Sequence, residues 1–201
     1  MSEDMDTTAN RKEVRSFRNN RINSKKFALY VAIASIVMMF TGLTSAYIVR
    51  QAAGNWLEFV LPDIFYANTG VILASSITLH LSFLAFKRQK ENAYKVLLVT
   101  TFLLGLTFLA LQYVGWETMQ SIGAGLTSNP SASFVYVISG LHAAHILGGV
   151  AALVVALIHA FGLDFKPTPR RKLRFEITLI YWHFVDLLWI YLVVFFTYQN
   201  V

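Results

Sequence analysis

A chain of 201 residues with 56% hydrophobic and only 14% charged side chains, at a mean hydropathy of +0.53, lacks the polar surface of a water-soluble domain and reads as a membrane protein. The absence of cysteine excludes a disulfide framework, thiolate sites for zinc, iron–sulfur clusters or copper, and a cysteine nucleophile, so any metal would need His, Met or carboxylate ligands. The formal charge of +6 would suggest a nucleic-acid partner in a soluble domain, but the placement of the basic residues points to membrane topology instead.

Residues 1–26 are polar and charged, without an apolar run or a small-residue cleavage pattern, and are expected to be a polar cytoplasmic tail, neither a signal peptide nor a folded domain. Residues 27–201 form the membrane domain, with five apolar stretches at about 27–49, 64–86, 96–116, 132–161 and 177–198. A hydrocarbon core of about 30 Å takes roughly 20 helical residues, and a backbone in lipid must satisfy its own hydrogen bonds, so each stretch is predicted to be a transmembrane helix. The fourth is the longest and is expected to tilt or to project beyond the lipid toward residues 128–131. The fold class that follows is all-α, a polytopic five-helix transmembrane bundle.

Lys and Arg resist translocation, so their distribution orients the bundle. Arg11, Lys12, Arg15, Arg18, Arg21, Lys25 and Lys26 precede the first stretch; Lys87, Arg88, Lys90 and Lys95 join the second to the third; Lys166, Arg170, Arg171, Lys172 and Arg174 join the fourth to the fifth. Only Arg50 lies on the opposite side. This asymmetry predicts a cytoplasmic N-terminus and an outside C-terminus. The loops are short and carry Gly54, Pro62, Gly123, Gly125, Pro130, Pro167 and Pro169 as connectors, leaving the helices to hold any chemistry.

Polar side chains in hydrocarbon are costly and normally face protein or a water-filled cavity. The second stretch has Asn68, Thr69, Ser75, Ser76, Thr78 and His80, and the third has Gln112 and Glu117; most read as packing groups bonded to their own backbone or a neighbour. Trp56 and Trp116 suit an interfacial belt. In the fourth stretch His142 and His145, three residues apart, share a face, and Gly140, Ala143, Ala144, Gly148 and Gly149 are small residues that let a neighbouring backbone approach closely. These two histidines lack a third ligand in their own helix and read as packing groups before metal ligands.

The fifth stretch places Glu176, His183 and Asp186 within one quadrant of a helical wheel. His183 and Asp186, three residues apart, are placed to touch, either as a polar pair that fixes helix packing or as part of a proton relay or ion site. His80 and His183 each lie six residues, about 9 Å, from the basic ends of their stretches, the depth match that two axial haem ligands would need. His142 and His145 have no such counterpart.

The run Tyr181-Trp182-His183-Phe184-Val185-Asp186 with Trp189, the stretch Gly140-Leu141-His142 with His145 through Gly149, Phe40-Thr41-Gly42, Asn68-Thr69 with Leu73-Ala74-Ser75, and Leu111-Gln112 together resemble subunit III of the haem–copper cytochrome c oxidases, from about residue 27 to 197. The chain is similar to the short, five-helix bacterial form, which begins at the third helix of the seven-helix form. It carries Ile36 where that longer form has a membrane glutamate.

The resemblance implies a non-catalytic subunit with no haem, copper or other cofactor of its own. Such a subunit stabilises subunit I, binds phospholipid and supports proton uptake, while subunits I and II hold the redox centres and cytochrome c is met through the complex. Residues expected to contact other subunits or lipid, or to hold the bundle together, are Asn68, Thr69, Ser75, His80, Gly140, His142, His145, Gly149, Glu176, Tyr181, Trp182, His183, Asp186 and Trp189. Three other readings stay open: subunit III of a quinol oxidase, an independent cytochrome with His80 and His183 as axial ligands, and a small proton-coupled transporter using the Glu176–His183–Asp186 stripe.

Overall fold

The computed structural model describes residues 24–163, 165 and 168–199. Most of the expected polar tail, with Arg11, Lys12, Arg15, Arg18 and Arg21, lies outside the described residues, as do Lys166 and Pro167. Five helices carry the described chain: α1 (Ser24–Ala52), α2 (Ile64–Lys87), α3 (Glu91–Ser121), α4 (Pro130–Gly162) and α5 (Pro169–Gln199). All five are long and apolar enough to cross a membrane.

Each helix extends past its apolar stretch, because an apolar run marks only the part in hydrocarbon while the helix continues into the headgroup region. Projection is therefore not peculiar to the fourth stretch. At 33 residues α4 is only slightly longer than α3 and α5, at 31 each. On the side of residues 128–131, α4 stops at Pro130, with the side chain of Asn129 accepting from Ser131 N at 2.9 Å. Proline suits this first helical position because its missing N–H would have no partner there anyway.

Asn129 Oδ1 also accepts from Leu57 N at 3.2 Å, and Ser131 Oγ donates to Leu57 O at 2.7 Å. The α1–α2 connection is thereby tied to the start of α4. The turn between α2 and α3 is tight and turns on Gln89, whose φ of 56° puts it in the left-handed region. There Arg88 N donates to Leu84 O and Lys90 N to Ala85 O, both at 3.0 Å.

Helices α2, α3, α4 and α5 pack as a ring in which α2 meets α3, α3 meets α4, α4 meets α5, and α5 returns to α2. Helix α1 lies outside this ring, in the groove between α4 and α5. Its inward stripe of Phe40, Thr44 and Tyr47 follows the helical period, and most of its other surface is open, including Met38 at 76%. An outer face this apolar would drive association in water but is compatible with lipid or with membrane-embedded protein. The ring closes on Phe65, Ile72, Leu98, Phe108, Ile146, Trp182 and Trp189, all fully buried.

Candidate functional site

The polar groups of α2 and α5 meet in register. Because the two helices run antiparallel, hydroxyls descending α2 face indoles ascending α5. Trp182 Nε1 donates to Ser75 Oγ at 3.0 Å, and Trp189 Nε1 donates to Thr69 Oγ1 at 3.1 Å. Each hydroxyl donates in turn to its own helix, Ser75 to Ile72 O at 2.7 Å and Thr69 to Phe65 O at 2.9 Å. Both donors and both acceptors are thus satisfied without water, the condition for placing them at membrane depth. Farther along, Tyr66 and Thr197 share a hydroxyl bond at 2.9 Å.

Trp182 reaches across the ring. A Cβ built on Gly105 of α3 would stand 2.9 Å from Trp182 Cη2, and one on Gly149 of α4 would stand 2.9 Å from Cε3 and Cζ3. The small-residue face of α4 therefore receives an aromatic ring where a neighbouring backbone was expected, since side chains are the nearest atoms at Gly140, Gly148 and Gly149. Trp116 also joins two helices: its Nε1 donates to Ser139 Oγ at 2.9 Å, linking α3 to α4.

Beside this satisfied seam lie buried polar groups of another kind. His142 is wholly buried and stacks on Trp189 at 5.1 Å between ring centroids, with Phe40 and Phe108 at its edges, yet neither ring nitrogen has a hydrogen-bond partner among the described residues. Asp186 is 3% exposed, and neither carboxylate oxygen has a partner there. Asn68 Nδ2 donates to Gln112 Oε1 at 3.3 Å, leaving Asn68 Oδ1 and Gln112 Nε2 unmatched.

The expected contact between His183 and Asp186 is not formed: His183 Nδ1 is hydrogen-bonded to the Ser76 hydroxyl, while Asp186 is turned into the bundle. An i,i+3 spacing puts two side chains on one face without making them meet, and here a hydroxyl on α2 satisfies the imidazole first. Glu176 is drawn to α1, where Lys26 Nζ lies 2.8 Å from Oε2. Glu176 is thereby separated from the other two, while the Ser76 hydroxyl of α2 lies beside both His183 and Asp186.

His80 and His183 do come together, with ring centroids 5.7 Å apart and planes at 40°, and His80 is exposed at the outer rim of the α2–α5 contact. His145 faces α1, bonding Leu141 O through Nδ1 at 2.7 Å and meeting Phe40 edge-on at 5.7 Å. Tyr181 donates its hydroxyl to His145 O at 3.0 Å. Among the described residues no group of three or more His, Cys, Asp or Glu side chains gathers as a metal site would require.

Sequence reasoning missed Gly105, which lies alone in an apolar helix and gives no periodic signal. It also passed over Thr44, whose hydroxyl meets that of Tyr191 at 3.1 Å, and the partnership of Lys26 with Glu176. Glu176, about two turns inside α5, was a signal that a cation was needed nearby; which helix would supply it was not readable.

Residues 20–201 match the family model for cytochrome c oxidase subunit III. The chain is 32% identical over 176 residues to the probable cytochrome c oxidase subunit 3 of Mycobacterium tuberculosis, covering 85% of this chain and 86% of that one. It is 30% identical over 181 residues to the probable subunit 3 of Nocardia farcinica, with the same coverage. It is also 29% identical over 138 residues to the subunit 3 of Alkalihalophilus pseudofirmus, covering 67% of this chain and 65% of that one.

Proposed function

Because this chain belongs to the cytochrome c oxidase subunit III family, we propose that it is the non-catalytic third subunit of an aerobic haem–copper terminal oxidase, with the haems and copper in its partner subunits. It is a multi-pass plasma-membrane protein and an oxidase subunit. In this reading it packs beside subunit I, holds phospholipid, and supports proton uptake while electrons pass from cytochrome c to oxygen in subunits I and II. The strong bias of basic residues to one side supports an orientation with the N-terminus in the cytoplasm.

The observation that carries the reading is the family match extending through all five helices. The use of the ring's indoles and hydroxyls on one another agrees with it, since such groups hold a scaffold together rather than face a substrate. The orphaned amides, His142 and Asp186 leave hydrogen-bonding capacity that the ring itself does not use.

Purification of the tagged chain from its native membrane in mild detergent is the test. Two co-purifying chains carrying haem and copper absorbance are expected, and a dinuclear copper signal among them identifies cytochrome c, not quinol, as the electron donor. The proposal is overturned if the folded chain alone carries a haem b band that vanishes in His183→Ala, or drives solute uptake in proteoliposomes.

A further inference from the structure

Exposed hydroxyls on the outer faces of α1 and α3 are satisfied by their own helices. Ser35 donates to Val31 O at 3.0 Å, Thr41 to Val37 O at 2.8 Å and Thr107 to Leu103 O at 3.0 Å. A lipid tail lying on such a surface meets no open hydrogen-bonding group.

The outer face shared by α2 and α5 is different. His80 lies six residues, about 9 Å, inside the basic end of its apolar stretch, is exposed, and makes no hydrogen bond among the described residues. Its ring meets that of His183, but His183 Nδ1 is taken by the Ser76 hydroxyl, and Asp186 on the other side of Ser76 is buried within the bundle. An imidazole is too short to snorkel to the headgroups from that depth as a lysine does, and hydrocarbon leaves its nitrogens unpaired. A partner for His80 therefore has to be another protein group at the same depth.

The form of the face indicates which kind of protein. Leu73, Ser76 and His80 follow one another on α2 at intervals of three and four residues, as do His183, Leu187, Ile190 and Val194 on α5. Two helices packed side by side leave a groove between them, here edged by Leu73 at 42%, Leu187 at 69% and Val194 at 62% exposure. On the opposite flank of α5, the groove against α4 holds α1. There Phe40, Thr44 and Tyr47 have the same spacing, and the Thr44 hydroxyl meets that of Tyr191 at 3.1 Å. One flank of α5 is thus filled by a helix tied on by a polar contact, while the other repeats that form with its imidazole unused.

We propose that the groove between α2 and α5 seats a transmembrane helix of a partner subunit, which brings a side-chain oxygen, carboxylate or amide, to accept from His80 and lays apolar residues on Leu73 and Leu187. This rests on the proposed function as a subunit of a larger oxidase and gives that role a face.

The experiment uses the oxidase complex purified with this chain in place. Leu73→benzoylphenylalanine and Leu187→benzoylphenylalanine are expected to photo-cross-link to one and the same helix of another subunit, identified by mass spectrometry of the joined peptides. His80→Leu is expected to lower retention of this chain by the complex through a detergent wash by roughly three- to eighteenfold, the change that one hydrogen bond between membrane helices commands, whereas His80→Gln keeps an N–H donor and should be retained. Unfolding of the chain by itself in detergent should be alike in wild type and both His80 variants, since His80 makes no hydrogen bond within it.

Photoadducts at both positions to lipid alone, or to a second copy of this chain, overturn the proposal, as does a His80→Leu complex that retains the chain as wild type does. If partner subunits nevertheless co-purify, the wider reading as an oxidase subunit survives and only this face is withdrawn; if none co-purifies with the wild-type chain, both fall.

Discussion

The α2–α5 seam and the space directly beside it, which α4 also lines, treat polar atoms in opposite ways. In the seam Trp182 and Trp189 each find a hydroxyl, and each hydroxyl finds a carbonyl. One turn from Trp182 and Trp189, Asp186 is enclosed with neither oxygen matched, and His142 lies against the face of Trp189 with neither nitrogen matched. Burial alone therefore does not mark a side chain as part of the scaffold. The matched groups hold the ring together, whereas the unmatched ones weaken it unless something beyond this chain's own contacts repays their desolvation.

The seam should fail first when its centre is removed. Trp182→Ala leaves a cavity touching α2, α3 and α4 and is expected to cost about 3–5 kcal/mol, read by denaturant unfolding of the chain in detergent. Approaching the same ring from the other side, Gly149→Ala drives a Cβ to 2.9 Å from two of its atoms and should cost about 1–3 kcal/mol. Gly148→Ala is the control, because its Cβ would meet only the Tyr181 hydroxyl at 3.6 Å. If both glycine variants unfold alike, Trp182 is not the centre of the ring.

Much of this organisation is legible in the amino-acid sequence, and the part that is not has a physical cause. Five helices follow from run length and the demand that a backbone in lipid bond to itself, so their number and approximate limits need no tertiary information. Helix ends are less legible, since polar residues such as Glu91 and Arg170 extend α3 and α5 outside the apolar runs. Depth, counted from the same end of the bundle, puts His80 level with His183, but depth alone says nothing about face, and the meeting of the two rings is visible only in the structure. Pairing by face was not accessible: the wheel placed His183 near Asp186, but the rotation of α2 decided that Ser76 would take the imidazole. Gly149 was conspicuous among small residues, whereas Gly105, which does the same work from α3, had nothing around it to mark it.

A smaller effect is expected from removing one hydrogen bond of the seam while keeping its shape. Thr69→Val deletes the acceptor for Trp189 Nε1 and should cost about 0.6–1.7 kcal/mol, the range for polar contacts between membrane helices. A double-mutant cycle with Trp189→Phe separates that bond from the loss of ring area. Coupling near zero would mean that Trp189 is held by its stacking on Phe65 and His142 and that the seam is aromatic, not polar.

The smallest change in the stability of the chain is expected at Asp186, and its size separates the two regions. Because its carboxylate makes no close hydrogen bond among the described residues and has only the Ser76 hydroxyl near it, Asp186→Leu removes a desolvated group at the cost of one weak contact, and the chain should change by no more than about 1 kcal/mol. The proposed role in the oxidase places the cost elsewhere: assembly or sustained turnover should decline while initial electron transfer remains near wild type. Measuring unfolding of the chain beside prolonged oxygen consumption by the complex separates these outcomes. A loss of chain stability comparable to Trp182→Ala would show that Asp186 belongs to the scaffold after all. Loss of the haem spectrum with every subunit still assembled would instead bring Asp186 close to the redox centres and end its assignment as a packing or contact residue.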